Sequence, residues 1–154
     1  MPKVWKLVLS IIVCEFAGII GSIFTISAIP SWYQTLNKPS FAPPNFIFAP
    51  VWTALYALMG ISLYLLFSNF KRNKNLIYLF FAQLFFNAIW TPVFFGLNNL
   101  SLALIIIIIL WSLILICILE FYKINNLASI LLIPYLLWVS FATALNYQFL
   151  VLNK

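Results

Sequence analysis

Ionisable side chains are scarce in this chain of 154 residues, of which only 6% are charged. It has no histidine and no aspartate, and its two acidic residues are Glu15 and Glu120. A Ser-His-Asp triad, a His-ligated haem and a His-based zinc site are therefore excluded. The two cysteines, Cys14 and Cys117, lie in apolar stretches and are too few for a zinc cluster or a disulfide framework. We expect them to fill space in the core.

Apolar side chains are abundant instead, because they make up 66% of the chain and the mean hydropathy is +1.13. Soluble domains are about half apolar and a quarter charged, so both a water-soluble fold and a disordered chain are excluded. A membrane crossing needs about 20 apolar residues. The uncharged runs predict an all-α integral membrane protein, a five-transmembrane-helix bundle forming one domain over residues 1–154. The predicted helices cover about 5–29, 46–69, 75–97, 100–122 and 127–150, with an outer loop at about 30–45.

The basic residues indicate how the helices cross the membrane. Six of the eight lie at the end that holds the N-terminus: Lys3, Lys6, Lys71, Arg72, Lys74 and Lys123. The positive-inside rule then puts the N-terminus in the cytoplasm. This topology explains the net charge of +6, and we expect no nucleic-acid partner. We also expect no cleaved signal peptide, because Glu15 interrupts the first apolar run and no A-x-A site precedes Pro30.

The outer loop is predicted to be stiff and aromatic. Residues 32–52 contain four prolines, each of which fixes φ and removes a backbone donor. The stretch begins with Trp32, and Lys38 is its one basic residue. The residues leave two interpretations open, an aromatic belt at the membrane interface or a rigid lid over a cavity.

Three helices each carry a face on which aromatic and amide side chains recur every three or four positions. The faces comprise Trp52, Tyr56 and Met59 in the second helix, Gln83, Asn87, Trp90, Thr91 and Phe94 in the third, and Trp138, Ala142, Leu145 and Asn146 in the fifth. If the faces converge, they form an apolar, aromatic pocket with a few polar groups, as is usual for a small-molecule site. The alternative is that the amides only bond helix to helix and the indoles only pack.

The first helix has two further features. Small residues recur along it at Ala17, Gly18, Gly21, Ser22 and Thr25. They allow another helix to approach closely, either within the chain or from a second subunit. Glu15 lies near the middle of the same helix, where an ionisable residue is a functional-site hypothesis by default. Glu120, by contrast, is close to Lys123 and predicts an ordinary ion pair at the membrane interface.

Three blocks of residues span nearly the whole chain. They are Trp32-Tyr33, Leu36-x-Lys38-Pro39, Pro43-Pro44, Pro50-Val51-Trp52, Leu55-Tyr56 and Met59-Gly60; then Asn87-x-x-Trp90-x-Pro92-x-Phe94-Phe95-Gly96; then Pro134-Tyr135-x-x-Trp138, Phe141-Ala142 and Leu145-Asn146-Tyr147. In content and order the blocks resemble the TspO/MBR family, the tryptophan-rich sensory proteins and mitochondrial translocator proteins.

This resemblance implies a five-helix bundle that is commonly a homodimer and that binds porphyrins. In animal members it also implies cholesterol and benzodiazepine-site ligands. A sterol role is doubtful here, because six residues separate Tyr147 from the next basic residue, Lys154. The resemblance places the pocket at Trp52, Asn87, Trp90, Trp138, Ala142 and Asn146. It makes Trp52 and Trp138 candidates for the light- and oxygen-dependent breakdown of protoporphyrin IX that is linked to bacterial members.

The leading hypothesis is a receptor for a planar tetrapyrrole in the membrane of a bacterial cell, with protoporphyrin IX as ligand or substrate and no separate cofactor. No His or Cys is placed to ligate an iron, so a metal-free ring is favoured. The residues expected to stack on the ring or line its pocket are Trp32, Trp52, Tyr56, Trp90, Phe94, Trp138, Ala142 and Leu145.

Three polar residues are expected at the edges of the tetrapyrrole. Asn87 and Asn146 are expected to bond its polar edge, and Lys38 to pair with a propionate at the mouth of the pocket. Two alternatives stay open: a carrier of porphyrin or other lipophiles, and a sensory or scaffolding subunit without catalysis.

Overall fold

The computed structural model describes residues 4–67 and 70–154, apart from the side chains of residues 70–73. Every regular element in those ranges is helical. The long helices are α1 (Val4–Ala28), α2 (Phe48–Phe67), α3 (Phe70–Thr91), α4 (Leu100–Tyr122) and α5 (Ile133–Leu152). Each belongs to an apolar segment long enough to cross a membrane. The prediction of an all-α, five-span membrane protein is therefore confirmed.

Two helix starts differ from the sequence-based boundaries. The second span begins with a 3₁₀ turn at Asn45–Ile47 before α2, and the predicted end of that span at residue 69 lies outside the described residues. α3 begins at Phe70, five residues earlier than predicted. The prediction was wrong because it excluded the basic segment, Lys71 to Lys74, from the helix. A helix can continue past the hydrocarbon region, since Lys and Arg side chains reach the polar interface from its ends.

Prolines interrupt two spans. The fifth is not one helix, because the short helix Asn126–Ile130 is followed by a turn and α5 then starts at Ile133. Pro134 has no N–H to bond the carbonyl of Ile130, which explains the break. In the third span, α3 widens after Thr91 into a π-helical turn, Pro92–Gly96, closed by the bond from the Leu97 N–H to the Pro92 carbonyl at 2.9 Å.

The spans form a ring in the order α1, α2, α5, α4, α3. α1 packs against α2 and α3, and α4 packs against α3 and α5. The backbones of α2 and α5 approach each other little, and α2 instead contacts the helix Asn126–Ile130, where the Ser62 hydroxyl donates to the Ala128 carbonyl at 2.7 Å. We call this end of the bundle the N-terminal end, and the opposite end, which holds residues 30–45, the loop end. The ring is thus closed at the N-terminal end and leaves space between α2 and α5 at the loop end.

The small residues of α1 pack inside the chain. A Cβ atom on Gly18 would overlap the Tyr56 ring of α2, and one on Gly21 would lie 3.1 Å from the Thr91 hydroxyl of α3. α2 contributes Gly60, whose Cβ would lie 2.5 Å from the Ile11 Cα atom. The close contacts that the sequence predicted for these glycines are therefore internal.

Outside the interior, the helices present apolar side chains to the lipid. α4 divides its isoleucines between the two environments, since Ile106, Ile107 and Ile114 are buried whereas Ile105 and Ile108 are exposed. Cys14 and Cys117 are free and fully buried, as expected of core residues. The predicted ion pair is also present, with the Lys123 Nζ atom 2.6 Å from the Glu120 Oε1 atom.

Candidate ligand-binding cavity

A cavity of about 420 Å³ lies between α1, α2, α3 and α5 at the loop end. This volume falls in the usual range for small-molecule sites, about 300–1,000 Å³. In the part of the chain that the structure describes, α4 contributes no residue to the wall. The wall from α2, α3 and α5 comprises Phe48, Ala49, Trp52, Thr53, Tyr56, Trp90, Thr91, Phe94, Phe95, Trp138, Ala142, Leu145, Asn146 and Phe149.

Aromatic rings form most of this wall and pack against each other. Trp52 stacks on Tyr56 with ring centroids 5.5 Å apart and lies edge-on to Trp138 at 6.4 Å and 89°. Trp90 packs against Phe94 at 5.2 Å. Edge-to-face and offset contacts of this kind stabilise aromatic clusters beyond the area they bury. The bulk of these rings also explains why α2 and α5 stay apart here.

A polar network joins three helices below the cavity, toward the N-terminal end. The Tyr56 hydroxyl of α2 donates to the Asn87 Oδ1 atom of α3 at 2.6 Å, and the Asn87 Nδ2 atom donates to the Tyr135 hydroxyl of α5 at 2.8 Å. Asn87 and Tyr135 are 3% and 0% exposed. Each group would be costly in an apolar interior if it were unpaired, so the network ties α2, α3 and α5 together.

A second amide pairs with protein in the same way. The Asn146 Oδ1 atom accepts from the Trp90 Nε1 atom at 3.2 Å, and its Nδ2 atom donates to the Leu100 carbonyl at 3.0 Å. Two buried groups find no hydrogen-bond partner among the described residues, the Trp138 Nε1 atom and the side-chain amide of Gln83. Trp138 lines the cavity with its ring, whereas its Nε1 atom is itself buried.

The structure brings most of the predicted site residues together. Eight of them line the cavity: Trp52, Tyr56, Trp90, Phe94, Trp138, Ala142, Leu145 and Asn146. The other three lie nearby but not on its surface. Asn87 is below it, in the tyrosine network. Trp32 packs edge-on against Phe94 at 5.8 Å, and Lys38 lies over the Tyr33 ring, 4.6 Å from its centroid, at the loop end.

The fourth wall of the cavity comes from α1, which the sequence analysis did not include in the site. Its lining residues are Glu15, Gly18, Ile19, Gly21, Ser22, Thr25 and Ile26, and Ile29 continues the wall just after the helix ends. They recur every three or four positions, which is the period of one helix face. The small and polar members of this face were interpreted as packing residues, but Ser22 and Thr25 also border the cavity, with their hydroxyls bonded to carbonyls of α1 itself.

The cavity is open sideways between α1 and α2. Ile19 and Ile26 line it and are still 57% and 72% exposed, and Ala49 and Thr53 on the facing side of α2 are exposed as well. In a membrane this opening would face the acyl chains. A hydrophobic guest therefore has a path to the cavity that does not pass through water.

The outer loop covers the loop end and is fastened to the end of α5. The Asn37 N–H donates to the Asn153 Oδ1 atom at 2.8 Å, and the Asn153 Nδ2 atom donates to the Asn37 carbonyl at 3.0 Å. Tyr33 reaches from the loop into the cavity wall. Burial raises the pKa of its hydroxyl, so this group stays neutral. Of the two interpretations of the loop, the geometry favours the lid.

Five apolar spans around an aromatic cavity define the class, a polytopic integral membrane protein. Comparison with known proteins is more specific, because the model of the TspO/MBR family matches residues 10–152. The tryptophan-rich protein TspO of Archaeoglobus fulgidus is 42% identical over 152 residues, which cover 98% of this chain and 99% of that protein. The human translocator protein is 34% identical over 132 residues, covering 83% and 78%. The chain belongs to the TspO/MBR family.

The two buried amides of α3 should respond oppositely to replacement. Asn87→Leu leaves the Tyr56 and Tyr135 hydroxyls without their partner, at a cost of about 1–3 kcal/mol for each unpaired group, so we expect the melting temperature in detergent to fall by several degrees. Gln83→Leu removes an amide that has no described partner, so we expect an equal or higher melting temperature. If the two variants have the same melting temperature, the network does not stabilise the bundle as described.

Proposed function

We propose that the protein binds a flat, hydrophobic tetrapyrrole of the protoporphyrin IX type in the cavity. The observation that carries the proposal is that the indole rings of Trp52, Trp90 and Trp138, from three helices, border one hollow of about 420 Å³. Flat aromatic guests stack on such faces, and the sideways opening between α1 and α2 lets a guest larger than the hollow extend from it. Benzodiazepine-site ligands, which are also hydrophobic, would share this cavity.

Polar groups at the edge of the hollow suit the edges of such a ligand. Lys38, at the loop end, can pair with a propionate by swinging from the Tyr33 ring. Asn87 is proposed to act indirectly, by holding Tyr56 in the cavity wall, rather than by bonding the ligand.

We further propose that bound porphyrin is degraded in light and oxygen, with chemistry that belongs to the porphyrin. The excited ring either passes its energy to O₂ or takes one electron from an indole in contact with it and then reduces O₂. Trp52 and Trp138 are the candidate donors because they border the hollow and contact each other edge-on. The protein supplies the orientation of the ring and controlled access of O₂.

Replacing the stacking indoles should weaken porphyrin binding. Trp52→Leu and Trp138→Leu each remove an aromatic face from the cavity, and we expect about a fivefold to tenfold rise in the Kd for protoporphyrin IX. The measurement is a titration of detergent-solubilised protein followed by porphyrin absorption. Trp5→Leu is the matched control, because Trp5 is 62% exposed near the N-terminal end. Equal affinities in all four proteins would contradict the assignment of the cavity.

Illumination separates binding from degradation. With protoporphyrin IX bound under air, we expect wild type and Trp5→Phe to lose the main porphyrin absorption band and form product. Trp52→Phe and Trp138→Phe keep an aromatic ring but are poorer electron donors, so we expect bleaching several times slower at equal occupancy. If both variants bleach and form product as the wild type does, these indoles are not the donors.

A carrier of lipophiles is the second candidate function, favoured by the sideways opening between α1 and α2. A carrier would also need a route from the cavity to the N-terminal end, where the tyrosine network and the helix Asn126–Ile130 close the bundle. We therefore expect no protein-dependent flux of labelled porphyrin into proteoliposomes. Flux that is lost in Trp52→Leu would favour the carrier over the receptor.

We also propose that the protein is a homodimer in a bacterial cell membrane, with its N-terminus in the cytoplasm. The support for the orientation is the position of six of the eight basic residues at the N-terminal end. The support for a dimer is the row of exposed apolar residues along α1, including Ile12, Phe16 and Ile23, together with family membership.

A further inference from the structure

Glu15 places a carboxyl group at the inner end of the cavity. It is half-buried and lines the hollow together with Gly18, one turn further along α1. Ile26, the last α1 residue of the wall, is 11 positions away, which is about 17 Å by helical rise. The carboxyl therefore lies deep in the membrane, far from the loop end and from Lys38. The proposed tetrapyrrole does not use it.

No protein group neutralises this carboxyl among the described residues. The one ion pair found there joins Lys123 and Glu120, and the hydroxyl of neighbouring Tyr56 already donates to Asn87. Carboxyl groups within a span are costly and normally face a partner or a cavity. Glu15 faces a cavity, so a ligand bound there can pair with its carboxyl group.

The other walls of the cavity that Glu15 borders favour a positive charge as well. Trp52 and Tyr56 stack on each other in the same cavity, and Trp90 and Trp138 complete its aromatic surface. The faces of such rings attract ammonium groups, most strongly where water is excluded. A neutral guest would leave the carboxyl unpaired, and an anionic group at this depth would be repelled by it when it is ionised. A carboxyl in an aromatic cavity therefore matches a positively charged guest best.

We propose that the cavity binds hydrophobic organic cations, in which an ammonium or protonated amine is attached to a planar aromatic body, and that Glu15 is the residue that selects them. The aromatic body would occupy the space between the indoles and the cation would pair with the carboxylate. Such molecules partition into lipid and would enter between α1 and α2. The inference rests on the cavity being a ligand site, as in the proposed function, but not on the ligand there being a porphyrin.

A pair of isosteric probes tests the selection. N-methylacridinium carries a permanent positive charge, and 9-methylanthracene has nearly the same shape without it. Their Kd values are measured by fluorescence in nanodiscs of zwitterionic lipid, and the ratio of the two affinities is the readout. We expect wild type to prefer the cation and Glu15→Gln to lower the ratio about tenfold, because a close charge pair is lost. Glu15→Asp, which keeps the charge, should retain part of the preference.

Glu120→Gln is the matched control, because it removes the only other acidic residue, which is paired with Lys123 outside the cavity. We expect it to leave the ratio as in wild type. The proposal is overturned if Glu15→Gln leaves the ratio unchanged, if it weakens both probes equally, or if Glu120→Gln lowers the ratio as much. Should Glu15→Gln fail to fold, wild type alone decides, since no preference for the cation over its isostere also overturns the proposal.

Protoporphyrin IX is titrated into wild type in parallel, so that the two proposals fail separately. Cation preference without porphyrin binding would contradict the proposed function and support the selection by Glu15. Porphyrin binding without cation preference would support the proposed function and contradict the selection by Glu15. If both ligands bind, each should displace the other, because they occupy the same hollow.

Discussion

The hydrogen bonds of Asn87 to Tyr56 and Tyr135 are the interaction on which the rest of the bundle depends. In lipid, burial of apolar surface contributes little to helix association, so packing and buried polar pairs must hold the spans together. These two bonds join α2, α3 and α5 at one point, and Gly18 lets α1 lie against the ring of Tyr56. Four of the five spans therefore meet at this network.

The cavity follows from what happens beyond that point. Toward the loop end, α2 and α5 are separated by Trp52 and Trp138, whose edge-on contact keeps two backbones apart. Toward the N-terminal end, small residues let α2 approach the short helix before α5, where Ser62 donates to the Ala128 carbonyl. The hollow thus arises because α2 and the fifth span carry large side chains at the loop end and small ones at the N-terminal end. The hydrogen-bond network of Asn87 lies between these two regions and forms the floor of the hollow.

Much of this arrangement could be predicted from the sequence. Uncharged runs predict five spans, and aromatic and amide residues at helical spacing predict the faces of α2, α3 and α5 that line the cavity. The break before Pro134 was missed, because it depends on a lost backbone bond that hydropathy does not report. The basic start of α3 was missed for the same reason, because hydropathy locates the hydrocarbon region and not the end of a helix.

Other features require coordinates. An amide inside a membrane must form hydrogen bonds, but its position in the sequence does not tell whether its partner is a ligand or another side chain. Asn87 was expected to bond a ligand, and in the structure it bonds two tyrosines. The α1 face was ambiguous because small residues serve both close packing and a cavity wall, and Gly18 and Gly21 do both. Glu15 could be noticed from the sequence, but only the fold shows that it faces the hollow.

The fastening of Asn37 to Asn153 has a practical consequence for anyone who handles this protein. Asn153, which anchors the cover of the cavity, directly follows α5, so the cover and the end of α5 form one mechanical unit. A fluorophore, affinity tag or surface tether attached there pulls on the cover, whereas the same attachment before α1 is a membrane's width away. Apparent ligand exchange rates from protein immobilised at the end of α5 would therefore describe a cover under load.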